Sequence, residues 1–446
     1  MRFIHTADWH LGNRMHDIDR EKEFDAFLGW LKTTIQEKQA ETLIVAGDIF
    51  DTINPSNESK RQYTSFMASL FGGCCKNIIV VGGNHDSSSR LDSEKDIFSH
   101  LNIHVVGSIA NIPLEEAVFE LYDNENKVNG ICAAIPFARE SELRAFLDDT
   151  EDVEDKCFSD RAYGSLYKKV FQIAEKLRNG RNIPVIATGH LYAANLEGRF
   201  ENQENEASCA FDDGKRPLDV VGNLGSVHAG VFPDGFDYVA LGHIHYTTMV
   251  AKNPKIRYSG SPFILGYDEA NLPRYVLFSE ISRGGVPLVD RILVPKSVEY
   301  RRISGDSKTI VTELEKYLLK SSSECKMDTH LEINFKFEDG INIQEKTSEL
   351  ISMLAEKNVY VASWKRQNNE NLLNRPDFSF YQDEVRNLNP EEIFKILILS
   401  KNPVGTEGLD EKQIKEKQQA VLEKYLPLFN QVYSETEQKG LLDENN

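Results

Sequence analysis

Five short apolar runs in the first 260 residues each end in a cluster of polar residues, and this arrangement constrains the fold more than any other feature of the sequence. The runs have the length and composition of buried strands, and they span 2–7, 41–46, 76–81, 183–187 and 237–241. Helical patterns separate several of them, as in 21–38, where apolar residues recur at helical spacing. The alternation predicts an α/β core in which helices cover a sheet.

The polar clusters contain the residue types that bind divalent metal ions. In chain order they are Asp8-Trp9-His10, Gly47-Asp48, Gly82-Gly83-Asn84-His85-Asp86, Gly189-His190 and Gly242-His243-Ile244-His245. Because sites in open α/β sheets form beyond the carboxyl ends of strands, we expect the five clusters to converge. The metal ligands predicted from them are Asp8, His10, Asp48, Asn84, His190, His243 and His245.

The chemistry of these side chains predicts a pair of borderline metal ions. Carboxylate oxygens and neutral imidazole nitrogens suit manganese, iron, zinc and, less well, magnesium, and the clusters contain no thiolate. In a two-metal site the ions lie about 3.5–4 Å apart, so one carboxylate is expected to bridge them. Asp48 is the expected bridge, and His85 is left for another task.

Each cluster taken alone has an ordinary structural explanation. A lone Asp-x-His or Gly-His is more often part of a turn, or a hydrogen-bonded polar residue of the core. The occurrence of five clusters in series, each at the end of a strand-like run, favours a metal site over that explanation. Four other histidines lack this setting and are predicted to be structural: His5, His100, His104 and His228.

Charge and cysteine content narrow the function classes. A net charge of -19 argues against a broad basic surface for nucleic acid. A nuclease is therefore compatible only if metal ions supply positive charge and a partner supplies much of the DNA contact. The six cysteines are scattered without a CxxC pair, which favours a reducing cytoplasm over a disulfide scaffold. With no signal-peptide pattern and no apolar run of about 20 residues, we expect a soluble chain without membrane contact.

The sequence predicts appended modules after the catalytic region. Helical patterns in 308–320 and 342–357 flank an alternating strand at 330–337, which indicates a small α+β module. Two amphipathic helices near the end of the chain either pack on the core or dock onto a partner. Residues 140–180 and 196–233 are predicted as long loops. The predicted domains are the catalytic domain 1–298, the capping domain 299–370, a linker 371–387 and a C-terminal helical segment 388–446.

The order of the five clusters resembles the calcineurin-like metallophosphoesterase superfamily. Within it, the chain is similar to the SbcD family of bacterial DNA-repair exonucleases at residues 6–12 (TADWHLG), 46–52 (AGDIFDT), 240–245 (ALGHIH) and 258–262 (YSGSP). The resemblance implies a four-layer αββα sandwich followed by a capping domain and a C-terminal helical segment. It also implies 3'–5' exonuclease and endonuclease activity on double-strand DNA ends and hairpins, in repair, recombination and replication.

The resemblance implies two ions, most often Mn²⁺, and a role for each cluster residue. One ion is bound by Asp8, His10, Asp48 and His245, and the other by Asp48, Asn84, His190 and His243. His85 stabilises charge developing on the phosphate or protonates the leaving oxygen. Asp86 orients His85 and keeps it charged. Asp51 stands where archaeal and eukaryotic relatives place a histidine, which leaves any role of that histidine in doubt here.

The partners implied are an SbcC-type ABC ATPase, bound through its coiled coil by the C-terminal helices, and a second copy of this chain. Together they form a heterotetramer. The apolar face of a predicted helix at 58–70 is a candidate for the homodimer contact, and packing in the core explains that face equally well.

Two alternatives remain open. The metal site does not select its substrate, so a small-molecule phosphodiesterase or phosphatase of the same superfamily fits the clusters. The purple acid phosphatases are excluded, because their iron-binding tyrosine is replaced here by Asp51. The second alternative is a non-catalytic scaffold that holds an ATPase. The complete set of ligands argues against it.

Overall fold

The structure is a computed structural model that describes residues 1–16, 18–110, 112–147, 158–193, 227–319, 327–336, 342–367, 413 and 417–429. The chain divides into two compact units, Met1–Gln367 and Asn368–Asn446. Three sheets are described in the first unit. No helix among the described residues is long and apolar enough to cross a membrane.

The first sheet has six strands in the order β12-β11-β1-β2-β3-β4. Strands β1 to β4 are parallel, and β11 and β12 join antiparallel beside β1. These strands are β1 (Arg2–Thr6), β2 (Thr42–Ala46), β3 (Asn77–Val81), β4 (Ile103–Val106), β11 (Tyr275–Glu280) and β12 (Leu288–Leu293). The parallel register aligns Phe3 with Thr42, and Thr42 with Asn77, so the carboxyl ends of the strands lie together.

The second sheet also has six strands, in the order β5-β6-β7-β8-β10-β9. Its central strands β6, β7, β8 and β10 are parallel. The strands are β5 (Val118–Tyr122), β6 (Val128–Ala133), β7 (Val185–His190), β8 (Tyr238–Gly242), β9 (Thr248–Met249) and β10 (Ile256–Tyr258).

Alternating side chains of the first sheet point into two different cores. Phe3 and Ile44 pack with Ile131 and Val239 of the second sheet, so the two sheets lie face to face. On the opposite face, Ile4 and its neighbours pack against helices. The helices of the first unit are α1 (Glu21–Lys38), α2 (Asn57–Ser69), α3 (Ser88–Leu91), α4 (Lys95–Ser99), α5 (Glu140–Leu143), α6 (Phe158–Arg178), α7 (Ser307–Leu319) and α8 (Ile343–Ala355).

Helices α1 and α2 cover the first sheet, and α6 covers the second. The predicted αββα sandwich is therefore confirmed. The apolar face of α2 is buried in the core through Tyr63, Phe66 and Met67. Core packing thus accounts for the residues that were equally compatible with a dimer contact.

The prediction of a loop across 140–180 is wrong for α6, which is a helix of 21 residues. Its buried residues Ala162, Leu166, Val170 and Ala174 recur at helical spacing and pack between the helix and the second sheet. Most of the second predicted loop, 194–226, lies outside the described residues.

The small module after residue 298 is a three-stranded parallel sheet in the order β13-β14-β15, with α7 and α8 as the crossovers. Its strands are β13 (Glu299–Gly305), β14 (Thr329–Lys336) and β15 (Val359–Gln367). The predicted strand and both helices are present, and the structure adds the two outer strands. Because all three strands are parallel, the module is an α/β arrangement rather than the predicted α+β one.

The second unit is described at residue 413 and over a helix at 417–429. This confirms that a C-terminal helix is present. The predicted linker and the helix that was expected to begin at Asn389 lie outside the described residues.

His5 gives the fold an acid-sensitive element. Its Nε2 donates to the Leu241 carbonyl at 3.2 Å, so Nδ1 accepts from the Tyr238 hydroxyl at 3.1 Å and the ring is neutral. Burial lowers the pKa of His5 to about 3 from 6.5. Below pH 6.5 the unfolded chain therefore binds a proton that the folded chain does not, and the free energy of unfolding falls as the pH drops towards 3.

We expect His5→Gln, which keeps an N–H donor for Leu241, to remove this loss. Between pH 7.5 and pH 5.0 the difference in unfolding free energy between the two proteins should shift by about 2 kcal/mol in favour of the variant. Urea unfolding at both pH values measures it, and all other titrating groups cancel in the comparison. An equal difference at both pH values would contradict the assignment.

Candidate metal centre

The five polar clusters meet where the two sheets face each other. Clusters one to three follow β1, β2 and β3 of the first sheet, the fourth forms the end of β7, and the fifth begins at the last residue of β8 in the second sheet. Backbone hydrogen bonds join the first two loops, from Asp8 N to Gly47 O at 2.9 Å and from His10 N to Asp48 O at 3.0 Å. The expected convergence is therefore present, because the parallel strands end at one edge of the sandwich.

One half of the site is formed by Asp8, His10 and His245. Their ligand atoms lie within 4.8 Å of one another. Both side-chain oxygens of Asp8 are buried. Oδ1 accepts from His243 N at 2.8 Å, and Oδ2 has no hydrogen-bond partner among the described residues. Such a buried carboxylate oxygen requires a partner, and a cation supplies one.

The other half is formed by Asp48, His190 and His243, whose ligand atoms also lie within 4.8 Å of one another, together with Asn84. The Asn84 side-chain oxygen lies 3.0 Å from His190 Nε2 and 3.0 Å from His243 Nδ1. Asp48 Oδ2 lies 3.3 Å from His190 Nε2 and 3.6 Å from His10 Nε2, so this carboxylate lies between the two halves. All seven residues predicted as ligands are thus brought together.

The tautomer of His190 shows that the residues fit a metal ion. Nδ1 lies 2.9 Å from the Ala46 carbonyl oxygen, which only accepts, so Nδ1 carries the proton. The lone pair of Nε2 then faces the oxygens of Asn84 and Asp48, and neither of these has a proton to offer when Asp48 is ionised. A cation among these three atoms satisfies all of them.

Without bound ions, the pKa values of Asp8, His190, His243 and His245 are shifted from their usual values by burial and by neighbouring charges. Burial raises the pKa of Asp8 to about 7, against the attraction of His190. Burial lowers the pKa of His190, but the Asp48 carboxylate outweighs it and raises that pKa to about 9, so that without a metal ion a proton on Nε2 takes the place of the cation beside Asp48. Burial also lowers the pKa of His243 to about 4 and that of His245 to about 3. Imidazoles held neutral by burial are ready to act as ligands.

The loops that carry the ligands adopt a strained backbone. Four ligand residues have positive φ angles: 54° at Asp8, 44° at His10, 49° at Asp48 and 97° at His243. Non-glycine residues rarely take this conformation, and it concentrates at functional sites. Gly47 has a φ of +91°, and a Cβ there would lie 2.1 Å from His190 Nδ1. The glycine of the second cluster is therefore required by both its conformation and its contact.

His85 lies beside the ligands but has a different partner from the predicted one. Its Nδ1 donates to the Asp51 main-chain carbonyl at 2.8 Å, and Nε2 takes no part in this bond. The centroids of the His85 and His10 rings lie 4.9 Å apart. The predicted orienting residue, Asp86, instead accepts from the backbone N–H of Ile49, Phe50 and Gly83 at 2.9–3.1 Å. Both oxygens of the Asp86 carboxylate accept from backbone N–H groups and link the loop after β2 to the loop after β3. Asp86 therefore does not orient the His85 ring.

Three further residues support the segments that carry His190, His243 and His245. Arg274 Nη1 donates to the His245 carbonyl at 2.6 Å, and Ser261 N donates to the same oxygen at 3.2 Å. The Tyr258 hydroxyl bridges Leu191 O and Ala193 N, just after His190. The Tyr-Ser-Gly-Ser-Pro segment at 258–262 is therefore a support for the ligand loops. Sequence reasoning missed Arg274, which no local motif marks.

Comparison with known proteins agrees with this geometry. Residues 1–247 match the family described as calcineurin-like phosphoesterase. Over 414 residues, 93% of this chain and 95% of that protein, the chain is 30% identical to the SbcD subunit of the nuclease SbcCD of Escherichia coli (strain K12). It is 28% identical over 319 residues to the SbcD subunit from Rhodobacter capsulatus, covering 70% and 74% of the two chains. It is 29% identical over 286 residues to the SbcD subunit from Bacillus subtilis (strain 168), covering 64% of this chain and 67% of that protein. The chain belongs to the calcineurin-like phosphoesterases and, within them, to the SbcD family of nucleases.

Proposed function

We propose that this chain is the metal-dependent DNA nuclease of an SbcCD-type complex and works with an SbcC-type ATPase in DNA repair. The observation that carries the proposal is the convergence of all seven candidate ligands around Asp48, in a chain related over nearly its whole length to a known nuclease. Double-strand ends and hairpins are the proposed substrates, cut by 3'–5' exonuclease and endonuclease activity. The alternative, a small-molecule phosphoesterase, shares the metal site.

The proposed centre holds two divalent ions, with manganese as the proposed metal. One is assigned to Asp8, His10, Asp48 and His245, and the other to Asp48, Asn84, His190 and His243. When bound, ions of this kind would polarise the phosphate and lower the pKa of a water molecule towards neutrality. The Asp48 carboxylate lies between the halves, and its pKa is lowered by His190 against the effect of burial, which keeps it ionised.

His85 is the proposed catalytic residue outside the ligand set. Its Nδ1–H bond to the Asp51 carbonyl fixes the ring, so that Nε2 is the nitrogen free to meet the substrate. From there it stabilises charge on the transferred phosphoryl group or protonates the leaving oxygen. Asp86 is assigned a positioning role, because it ties the Asp48 loop to the loop of His85 through three backbone N–H groups.

The proposed assembly is a heterotetramer of two copies of this chain and two SbcC-type chains. The net charge of -19 supports a partner that supplies much of the DNA contact. The proposed domains are 1–298 for catalysis, 299–370 as a cap, 371–387 as a linker and 388–446 for binding the partner. The proposed location is the cytoplasm, which suits the free cysteines Cys74, Cys75 and Cys132.

Hydrolysis of a labelled double-stranded DNA end in Mn²⁺ tests the function. The full-length protein is assayed alone and with a coexpressed SbcC-type ATPase, beside p-nitrophenyl phosphate as a phosphomonoester. We expect metal-dependent DNA cleavage, with a much lower kcat/KM for the monoester. Intact DNA together with rapid monoester hydrolysis would assign the site to small phosphoesters. Neither activity in a Mn²⁺-loaded protein would indicate a scaffold.

A further inference from the structure

A series of buried hydrogen bonds leads from the small α/β module into the catalytic domain. It begins at Tyr300 on β13, whose hydroxyl donates to Glu23 Oε2 at 2.9 Å. The same Glu23 oxygen accepts from Arg20 Nε at 2.7 Å. Tyr300 is almost fully buried in a cluster that contains Met15 and Tyr267 of the catalytic domain and Ala362 of the module. The module is therefore joined to the start of α1 by a specific polar contact as well as by apolar packing.

Arg20 continues the series towards the metal centre. Its Nη1 donates to Asn13 Oδ1 at 2.7 Å, and Asn13 Nδ2 donates to Asp51 Oδ1 at 3.0 Å. The orientation of the Asn13 amide is dictated by its neighbours, because Arg20 only donates and an ionised Asp51 only accepts. Asp51 Oδ1 lies 3.3 Å from Nδ1 of His10, a candidate ligand whose Nε2 faces Asp48.

Asp51 acts on two site residues through two different atoms. Its carboxylate lies close to His10 Nδ1 without a hydrogen bond between them, and its negative charge favours the tautomer that has the proton on Nδ1 and leaves Nε2 as the ligand atom. Its main-chain oxygen accepts from His85 Nδ1. A displacement of Asp51 therefore changes the ring orientation of a metal ligand and of the proposed catalytic histidine together.

Arg20 is an unusually constrained link in this series. Its side chain is fully buried, and its guanidinium carbon lies 5.4–5.6 Å from the ring centroids of Phe24, Phe263 and Tyr300. A buried cation held by aromatic faces and one carboxylate has little freedom to move without losing its partners. A displacement of Tyr300 would therefore disturb the contacts of Arg20, including its hydrogen bond to Asn13.

We propose that Arg20, Asn13 and Asp51 are positioning residues through which the seated small module sets the geometry of His10 and His85. The inference rests on the proposed metal-dependent function and deepens it: the module completes the metal centre without contributing a ligand. A module that only stabilises the fold would affect unfolding but would leave metal affinity unchanged in a folded variant.

Binding of Mn²⁺ to the full-length protein, measured by isothermal titration calorimetry, tests this coupling. We expect Asn13→Ala to weaken binding at the half that contains His10 by about 10–100-fold, as loss of a residue that orients a ligand does. Tyr300→Phe removes one oxygen atom outside the candidate ligand set and should weaken Mn²⁺ binding at the same half by about 2–30-fold. The double variant should bind Mn²⁺ as weakly as Asn13→Ala alone, because both changes interrupt one series.

Tyr267→Phe is the matched control. Tyr267 packs against Tyr300 with ring centroids 5.8 Å apart, and its buried hydroxyl has no hydrogen-bond partner among the described residues. Its loss should leave Mn²⁺ affinity unchanged. Equal effects of the two tyrosine variants, additive effects in the double variant, or wild-type affinity in folded Asn13→Ala would overturn the inference. If Asn13→Ala does not fold, the two tyrosine variants decide. A wild-type protein that binds no Mn²⁺ would instead refute the proposed function.

Discussion

Replacement of Asp48 by asparagine is expected to lower kcat for DNA hydrolysis about 10³-fold or more, with loss of bound metal. The carboxylate lies 3.3 Å from His190 and 3.6 Å from His10, between the two halves of the site, and in the proposed centre it is assigned to both ions. An amide of the same shape lacks the negative charge that holds two cations, and a metal ion contributes several kcal/mol to phosphoryl transfer. Steady-state hydrolysis and metal content by mass spectrometry measure the two effects.

Asp92→Asn is the matched control for this variant. Asp92 is a half-buried carboxylate that accepts from Gly107 N at 3.0 Å, much as Asp48 accepts from His85 N at 2.9 Å. Its replacement removes a negative charge from a similar setting outside the ligand set, and activity should stay within about twofold of wild type. Full metal content and normal kcat in Asp48→Asn would contradict the bridging assignment.

The second large effect is expected at His85. His85→Ala should lower kcat about 10²–10⁴-fold, the usual contribution of a positioned acid or base, while the protein keeps its metal ions. The reason is that His85 lies beside His10 and its Nδ1 donates to the Asp51 carbonyl, which fixes the ring, and in the proposed function its Nε2 is assigned to the substrate and not to a metal ion. Single-turnover cleavage of a labelled DNA end separates this effect from product release.

Two other variants define the role of the ring. His85→Gln retains an N–H donor, but an amide neither gives up nor takes up a proton, so the variant should remain impaired if His85 transfers a proton. Recovery of activity in this variant would restrict the role to hydrogen bonding. The exposed His100, changed to alanine, should leave kcat unaltered. Loss of metal from His85→Ala would contradict the separation of ligands from the catalytic residue.

The convergence of the candidate ligands was predictable because it depends on a local and repeated signal. Each candidate ligand lies at or just beyond the end of a short apolar strand, and parallel strands end at a common edge. Asp8, Asp48 and Asn84 were therefore expected to lie near one another once β1, β2 and β3 were identified. The resemblance to a known family then gave each position a role. The sandwich of two sheets also came from the resemblance, since the apolar runs alone indicate only an α/β core.

The surrounding contacts were not predictable, because tertiary packing alone brings them together. Arg20 and Tyr300 are 280 residues apart along the chain, yet they share Glu23. Asp86 follows His85 in sequence, which suggested a direct contact, but its carboxylate points at the N–H groups of another loop. Neighbours in sequence at the end of a strand need not face the same way.

The missed elements have physical causes of the same kind. Strand β14 was predicted because apolar residues alternate along it. It is the central strand of its sheet and has a neighbouring strand on each side. Strands β13 and β15 lie at the two edges and carry charged residues, so their patterns are weaker. In α6, charged and polar residues separate the buried positions, which hides a helical periodicity that is present.

Anomalous diffraction from crystals of the wild-type protein grown with Mn²⁺ is the most direct test of the two-metal centre. We expect two manganese peaks about 3.5–4 Å apart with the Asp48 carboxylate between them, one beside Asp8, His10 and His245 and the other beside Asn84, His190 and His243. A single peak, or peaks away from these residues, would contradict the account.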